Sequence, residues 1–107
     1  MNTRIYDLYG VECNDIETAR FVIEDLLNMS MIAHDSIYRG VYYRFNSVGQ
    51  ENFILQNNYN DFEEEWTEKR YSKYPLLLYV NETQRSSEVA SLLQSDNRVV
   101  RLKSQEL

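Results

Sequence analysis

The sequence predicts an α+β fold: a single domain with a mixed, mostly antiparallel sheet of five or six strands and two main helices. Three observations predict it. At 107 residues the chain has a common single-domain length, so we expect one domain over residues 1–107. Segments rich in β-branched and aromatic residues alternate with two segments whose apolar residues recur at helical spacing. A hydrophobic share of 43% excludes a disordered chain, because it supplies enough apolar side chains for a core.

The first third of the chain predicts a strand followed by a helix. Residues 4–10 are rich in aromatic side chains and end at Gly10, which is typical of a strand. Asn14 is a favourable helix cap, and Glu17 follows three residues later as in a capping box. We expect the helix to end near residues 28–30, after apolar residues at helical spacing. These apolar residues are Ile16, Ala19, Val22, Ile23, Leu26 and Leu27.

The middle of the chain predicts more strands, joined by turns. Residues 36–38 are expected to form a short strand that ends before a glycine. Residues 41–45 and 52–56 predict an antiparallel hairpin with a longer polar loop. Residues 57–60 have the composition of a loop, and residues 61–66 are expected to form a short helix or an ordered loop.

The last third predicts a strand, a second helix and a final strand. Residues 76–80 are continuously apolar, which is typical of a central strand covered on both faces. Thr83 is expected to cap a helix that runs to about Leu93, and residues 98–102 follow as the final strand. The two strands and the helix therefore predict a β-α-β unit with a right-handed crossover.

Charge is distributed unevenly along the chain. The formal net charge is −6, and residues 45–68 contain six acids and neither lysine nor arginine. Phosphate backbones and anionic membranes repel such a chain, so we expect no nucleic-acid or membrane partner. A basic protein is the electrostatically favoured partner. The six acids are Glu51, Asp61, Glu63, Glu64, Glu65 and Glu68.

Composition also indicates a compartment. No apolar run approaches the roughly 20 residues that cross a bilayer, and residues 1–7 lack the apolar stretch of a signal peptide. The single cysteine, Cys13, cannot form an internal disulfide, which fits a reducing environment. We therefore expect a cytoplasmic protein.

Few residues suggest catalysis or cofactor binding. One histidine, His34, and one cysteine, Cys13, do not make a metal site, and the three isolated glycines form no phosphate-binding loop. We expect no metal and no cofactor, and the absence of a catalytic set favours a protein that is not an enzyme. A Cys13–His34 dyad is one alternative, because Cys13 precedes a helix whose dipole can lower the pKa of a thiol. The other alternative is that Cys13 is a small, partly buried thiol and His34 a histidine in a turn, with no catalytic role.

The acidic stretch and the aromatic residues beside it are the candidate binding residues. Neighbouring carboxylates can act as acid and base or bind a cation, but a run of acids more often forms a solvated face or a partner contact. Nine tyrosines exceed ordinary usage, and tyrosine and tryptophan are favoured at interfaces, although strand tyrosines also cover small sheets. We assign partner binding to Tyr59, Asp61, Glu63, Glu64, Glu65, Trp66 and Glu68.

Five stretches of the sequence together carry a resemblance to a known family. They are IYDLYG at 5–10, SIYRG at 36–40, YYR at 42–44, ENFILQN at 51–57 and LLLYVN at 76–81. With them the chain resembles the small bacterial immunity proteins encoded beside polymorphic toxins, including those of contact-dependent growth inhibition systems. The resemblance implies an antitoxin that binds one toxin domain, often a nuclease, in the cell that makes it.

Three functions follow as hypotheses. The first is an immunity protein that neutralises a basic toxin domain by covering its nucleic-acid-binding cleft, since an acidic inhibitor can compete for that surface. The second is a small enzyme that uses Cys13 and His34, or the carboxylates of Glu63–Glu65. The third is an adaptor module in a larger complex.

Overall fold

Six strands form one sheet, and both helices pack on the same face of it. The computed structural model describes residues 4–106; the predicted domain also includes residues 1–3 and 107, which lie outside the described residues. The α-helices and strands follow the chain in this order: β1 (Ile5–Val11), α1 (Ile16–Leu27), β2 (Ile32–Ser36), β3 (Gly40–Phe45), β4 (Asn52–Asn57), β5 (Tyr59–Asn60), β6 (Glu65–Trp66), β7 (Leu76–Thr83), α2 (Ser86–Leu93) and β8 (Val99–Glu106).

The order of strands in the large sheet is β2-β3-β4-β7-β1-β8, and every neighbouring pair is antiparallel. β7 lies between β4 and β1, which confirms it as the predicted central strand. Because β7 and β8 both run antiparallel to β1, they are parallel to each other and α2 connects them. The predicted β-α-β unit is therefore present, with β1 inserted between its two strands. The α+β prediction is confirmed.

The N-cap of the first helix lies one residue later than the sequence predicts. Asp15, and not Asn14, is the N-cap, because its Oδ1 accepts a hydrogen bond of 2.8 Å from the backbone N–H of Thr18. Glu17 does not complete a capping box but forms an exposed ion pair with Arg20 at 3.1 Å. The helix ends at Leu27 as expected, and Asn28 follows it in the left-handed region with a φ of 52°.

Replacing Asp15 with alanine should lower the midpoint of thermal unfolding by about 3–6 °C, because a backbone donor of the first turn loses its partner. Asn14→Ala is the matched control and should leave the midpoint unchanged. Hydrogen bonding to Thr18 lowers the pKa of Asp15, so the contribution of the ionised cap to stability is present at neutral pH. It should be lost as the pH falls below about 4. Equal shifts for the two variants in a calorimetric scan would contradict this boundary.

The second helix also begins later than predicted. Thr83 is the buried end of β7, and the N-cap of α2 is Arg85, which makes no side-chain capping bond. The Thr83 hydroxyl nevertheless accepts a bond of 3.1 Å from the backbone N–H of Arg85. Within the helix, the Ser86 hydroxyl donates to the buried carboxylate of Asp7 on β1, which fixes α2 to the sheet. Neither helix within residues 4–106 is long and apolar enough to cross a membrane.

The main core lies between the helices and the sheet. Ala19 and Ile23 of α1 and Val89 and Leu93 of α2 are buried against apolar side chains of the central strands. Successive strand residues point to opposite faces, so only alternate residues of each strand reach this core. The strand residues in it include Tyr9, Val11, Phe53, Leu55, Leu76, Leu78 and Val80.

The other face of the sheet is covered by residues 58–75, between β4 and β7. Leu77 is fully buried although its neighbours along β7 face the helices, so the prediction of a strand covered on both faces is confirmed. Tyr74 lies directly on the backbone of Gly10, since a Cβ added there would come within 2.5 Å of the ring. The Tyr71 hydroxyl reaches the carbonyl oxygen of Leu102 on β8 at 3.3 Å.

Two predictions for the middle of the chain are corrected. Residues 37–39 form the turn between β2 and β3, so the predicted strand at 36–38 lies earlier, over Ile32–Ser36. Residues 59–66 form a small hairpin in which β5 pairs with β6 around a turn at 61–64, whereas the sequence predicts a loop at 57–60 and a short helix or an ordered loop at 61–66. We call residues 59–66 the acidic hairpin.

Candidate functional site

One buried asparagine, Asn58, determines the course of residues 58–75. Its Nδ2 donates to two carbonyl oxygens at 3.0 Å each, and its Oδ1 accepts from a backbone N–H at 2.9 Å. Its own backbone N–H and carbonyl form two more hydrogen bonds, of 2.9 and 2.7 Å. With no exposed surface, this side chain ties the two ends of the segment together. The partners are backbone groups of Thr67, Glu68, Tyr71, Tyr74 and Pro75.

The tip of the acidic hairpin, residues 61–64, is shaped by Asn60. Its Oδ1 accepts hydrogen bonds from the backbone N–H groups of Phe62 and Glu63, at 2.9 and 3.1 Å. Its Nδ2 donates to the carbonyl oxygen of Tyr38 at 2.7 Å, which joins the hairpin to the turn between β2 and β3. Glu64 closes the tip in the left-handed region with a φ of 55°. The tip therefore holds its acidic side chains in solvent on an ordered backbone.

Two pairs of aromatic rings accompany these acids. Tyr59 and Trp66 face each other across the hairpin with ring centroids 5.3 Å apart and an edge-on geometry. Tyr38 and Phe62 meet in the same way at 5.5 Å, and both are about three-fifths exposed, at 60% and 62%. Exposed rings held by edge-on contacts lose little further freedom on binding, which suits them to contact a partner.

A cleft of about 460 Å³ lies between the acidic hairpin and the sheet. Its floor is formed by β4 and β7, which present Ile54, Gln56 and Tyr79. Glu63, Glu65 and Trp66 line it from the hairpin, and Tyr38 and Arg39 line it from the turn between β2 and β3. The cleft thus combines carboxylates, aromatic rings and one buried amide.

The carboxylates around the cleft differ in their partners. Half-buried Glu68 accepts a hydrogen bond of 2.8 Å from the Tyr79 hydroxyl. The pKa of Tyr79 is raised, mainly because the hydroxyl is buried and secondly because it is bonded to this carboxylate. Glu65 lies 3.6 Å from Lys69 in an exposed ion pair. Among residues 4–106, Asp61, Glu63 and Glu64 take part in no ion pair.

The structure therefore divides the residues that the sequence grouped together. Glu63, Glu65 and Trp66 line the cleft, whereas Asp61 and Glu64, which are exposed on the tip, do not. Tyr59 contacts Trp66 from outside the cleft lining, and Glu68, also outside the lining, binds the hydroxyl of Tyr79. Glu51, the sixth acid of the stretch, lies elsewhere and binds Arg85 at 2.8 Å.

Cys13 and His34 lie in different parts of the fold. Cys13 is 6% exposed in the core on the helix side, and burial raises the pKa of its thiol, whereas the alternative of a reactive dyad requires a lowered one. His34 lies exposed on β2, where its ring stacks on Tyr42 with centroids 5.2 Å apart on the other face of the sheet. The structure does not bring the two side chains together as a dyad. Within the part of the chain that the structure describes, no group of three His, Cys, Asp or Glu side chains is placed to hold a metal ion.

Sequence reasoning missed Gln56, Asn58 and Arg39. Gln56 lies in β4, and Asn58 directly follows that strand. The only indication of their roles in the sequence is that an amide residue stands at a position that is buried in the fold. Arg39 falls within a segment predicted to lead from a strand to Gly40, and its place in the cleft follows from the position of the turn. No protein-family model matches the chain, and no curated protein matches it.

Proposed function

We propose that this protein is a cytoplasmic immunity protein that binds a toxin domain, a nuclease, and neutralises it by covering the basic active-site cleft. The proposal is supported by the resemblance of the sequence to immunity proteins of polymorphic toxins. The observation that carries it furthest is the acidic hairpin, where exposed carboxylates stand beside exposed aromatic rings.

The carboxylates provide the long-range attraction. Asp61, Glu63 and Glu64 are exposed, and no cation within residues 4–106 pairs with them. A nuclease concentrates positive charge around its active site because its substrate is a polyanion. Carboxylates on an ordered hairpin compete for that surface and raise the rate of encounter.

The aromatic rings provide contact area after the encounter. Phe62, Trp66 and Tyr38 are exposed within the same region as the acids, and tryptophan and tyrosine are enriched among residues that dominate binding energy. Large rings beside charged groups are typical of a protein interface with an anchored centre and a polar rim.

Purification of the protein from the producing cell, with its partner attached, tests the proposal. We expect one stoichiometric basic protein that kills cells when expressed alone and is harmless when both are expressed. The purified partner should cleave nucleic acid, and addition of this protein should abolish the cleavage. A partner without toxicity, or an assembly of several different subunits, would refute the immunity function.

Replacing Trp66 with alanine should weaken the complex by about 2 kcal/mol or more, mainly through faster dissociation. Trp66 is 36% exposed and lines the cleft, so it can be covered by a partner. Phe21→Ala is the control, because Phe21 is an exposed aromatic residue of α1, remote from the hairpin in the fold. The dissociation rates of the Trp66 and Phe21 variants are measured by competition with unlabelled protein. An unchanged rate for a folded Trp66 variant would remove tryptophan from the contact.

A further inference from the structure

The floor of the cleft contains a side-chain amide to which no group of the described residues is hydrogen-bonded. Gln56 is only 6% exposed, and its side chain lines the cleft. No side-chain hydrogen bond found within residues 4–106 involves its amide, and the amide atoms are not among the fully buried polar atoms, so they face the open space of the cleft. The buried asparagines nearby do have partners: Asn52 donates to the carbonyl oxygen of Gln50, and Asn58 bonds three backbone groups. The amide of Gln56 is therefore available to a group that enters the cleft.

The surroundings of Gln56 define the charge of that group. Two carboxylates, of Glu63 and Glu65, line the same cleft, and the carboxylate of Glu63 has no cationic partner among the described residues. The rings of Trp66 and Tyr38 also line it. Carboxylates together with aromatic faces are the surroundings that stabilise a cation.

We propose that the cleft receives the side chain of an arginine from the protein partner, a step that rests on the proposed function. The guanidinium group is planar and has five N–H donors, so it can bond the amide oxygen of Gln56 and a carboxylate at the same time. It also stacks on aromatic faces, which a lysine ammonium group does less well. Arginine is enriched at the centre of protein interfaces.

A cationic side chain of the protein itself, Arg39, also lines the cleft and allows a sharper test. Arg39 lines the cleft from the turn between β2 and β3, and its guanidinium lies over the ring of Tyr42 at 5.1 Å from the centroid. It carries the same charge as the proposed guest and should weaken its binding. We therefore expect neutralisation of Glu63 to weaken binding of the arginine side chain and neutralisation of Arg39 to strengthen it.

The probe for this test is N-acetylarginine methylamide, added to the isotope-labelled protein and followed by NMR. We expect saturable shifts of the Gln56 side-chain amide and the Trp66 indole N–H, with a Kd on the order of a few millimolar, since one side chain supplies few contacts. N-acetylcitrulline methylamide, uncharged and nearly the same shape, should bind at least fivefold more weakly. The lysine analogue should fall between the two.

Variants of the cleft separate recognition from folding. Gln56→Leu should weaken the probe about tenfold, because a bond to a charged donor is lost. Glu63→Gln should weaken it several-fold, whereas Glu64→Gln, which alters the neighbouring exposed residue, should not. Arg39→Gln should strengthen it. The last three changes are at exposed positions and do not disturb the core.

Competition with the partner completes the experiment. The arginine probe should slow formation of the complex, and the citrulline probe should not. Equal binding of the two probes, shifts away from the cleft, or no saturation at ~50 mM would overturn the inference while leaving the immunity function intact. Binding of the probe without competition would overturn the partner's arginine as the occupant. Probe binding in a protein that captures no toxin would refute the immunity function instead.

Discussion

Asn58→Ala should lower the free energy of unfolding by about 3–5 kcal/mol, the largest loss expected from one substitution in this chain. The change removes three side-chain hydrogen bonds and leaves backbone groups of Glu68, Tyr71 and Tyr74 without partners. Asn58 is fully buried, so water cannot replace those bonds without opening the segment. Urea unfolding followed by circular dichroism measures the loss.

The matched control for this prediction is the preceding residue. Asn57→Ala removes the same side chain from an exposed position, where no side-chain hydrogen bond of the described residues involves it. We expect a change within about 0.5 kcal/mol. Hydrogen exchange should show residues 58–75 opening readily in the Asn58 variant while α1 and the central strands stay protected. Equal stability of the two variants would contradict the role assigned to Asn58.

Changing Glu63, Glu64 and Glu65 together to lysine should slow association with the toxin roughly tenfold or more at low salt. The substitution converts the acidic hairpin from an attractive to a repulsive surface for a basic partner. The wild-type rate should fall as salt increases, and the rate of the triple variant should stay level or rise. Stopped-flow measurements of association at several salt concentrations give the salt dependence of the rate for the wild type and for the triple variant.

A second triple variant separates local from net charge. Glu12, Asp25 and Asp35 are also exposed, and changing all three to lysine alters the net charge by the same amount. We expect a smaller loss of rate and a salt dependence of the original sign, because these acids lie elsewhere on the molecule. Identical behaviour of the two variants would show that the hairpin has no special role in the encounter. Both variants should stay folded, since exposed charges contribute little to stability.

The parts of the fold that sequence could predict are those with a repeated pattern. Helical spacing from Ile16 to Leu27 and the apolar run at the start of β7 each involve many residues, so a single deviation does not change the prediction. Helix starts are decided by one residue, and Asn14 and Asp15 are both good caps, which explains the error there. The turn at 37–39 was missed because β-forming residues continue through it.

The candidate site was predicted only in part for a different physical reason. Trp66 and the glutamates beside it are visible as a sequence cluster, but strands of two residues have no alternation to detect. The hairpin depends instead on Asn58, whose partners lie 9 to 17 residues further along the chain, at Thr67 and at Pro75 among them. Pairing of Glu51 with Arg85 spans 34 positions, and no local pattern indicates it.

The tip of the acidic hairpin displays exposed side chains, which we propose to be recognition groups, without contributing to the core. Its shape depends on the Asn60 side chain and on a left-handed residue at position 64, and the side chains of Asp61, Glu63 and Glu64 can change without removing a buried contact. One scaffold can therefore acquire a new binding preference through a few substitutions at the tip, at little cost in stability. Diversification of partners would then proceed by exchange of these surface side chains, while Asn58 and Asn60 preserve the backbone that displays them.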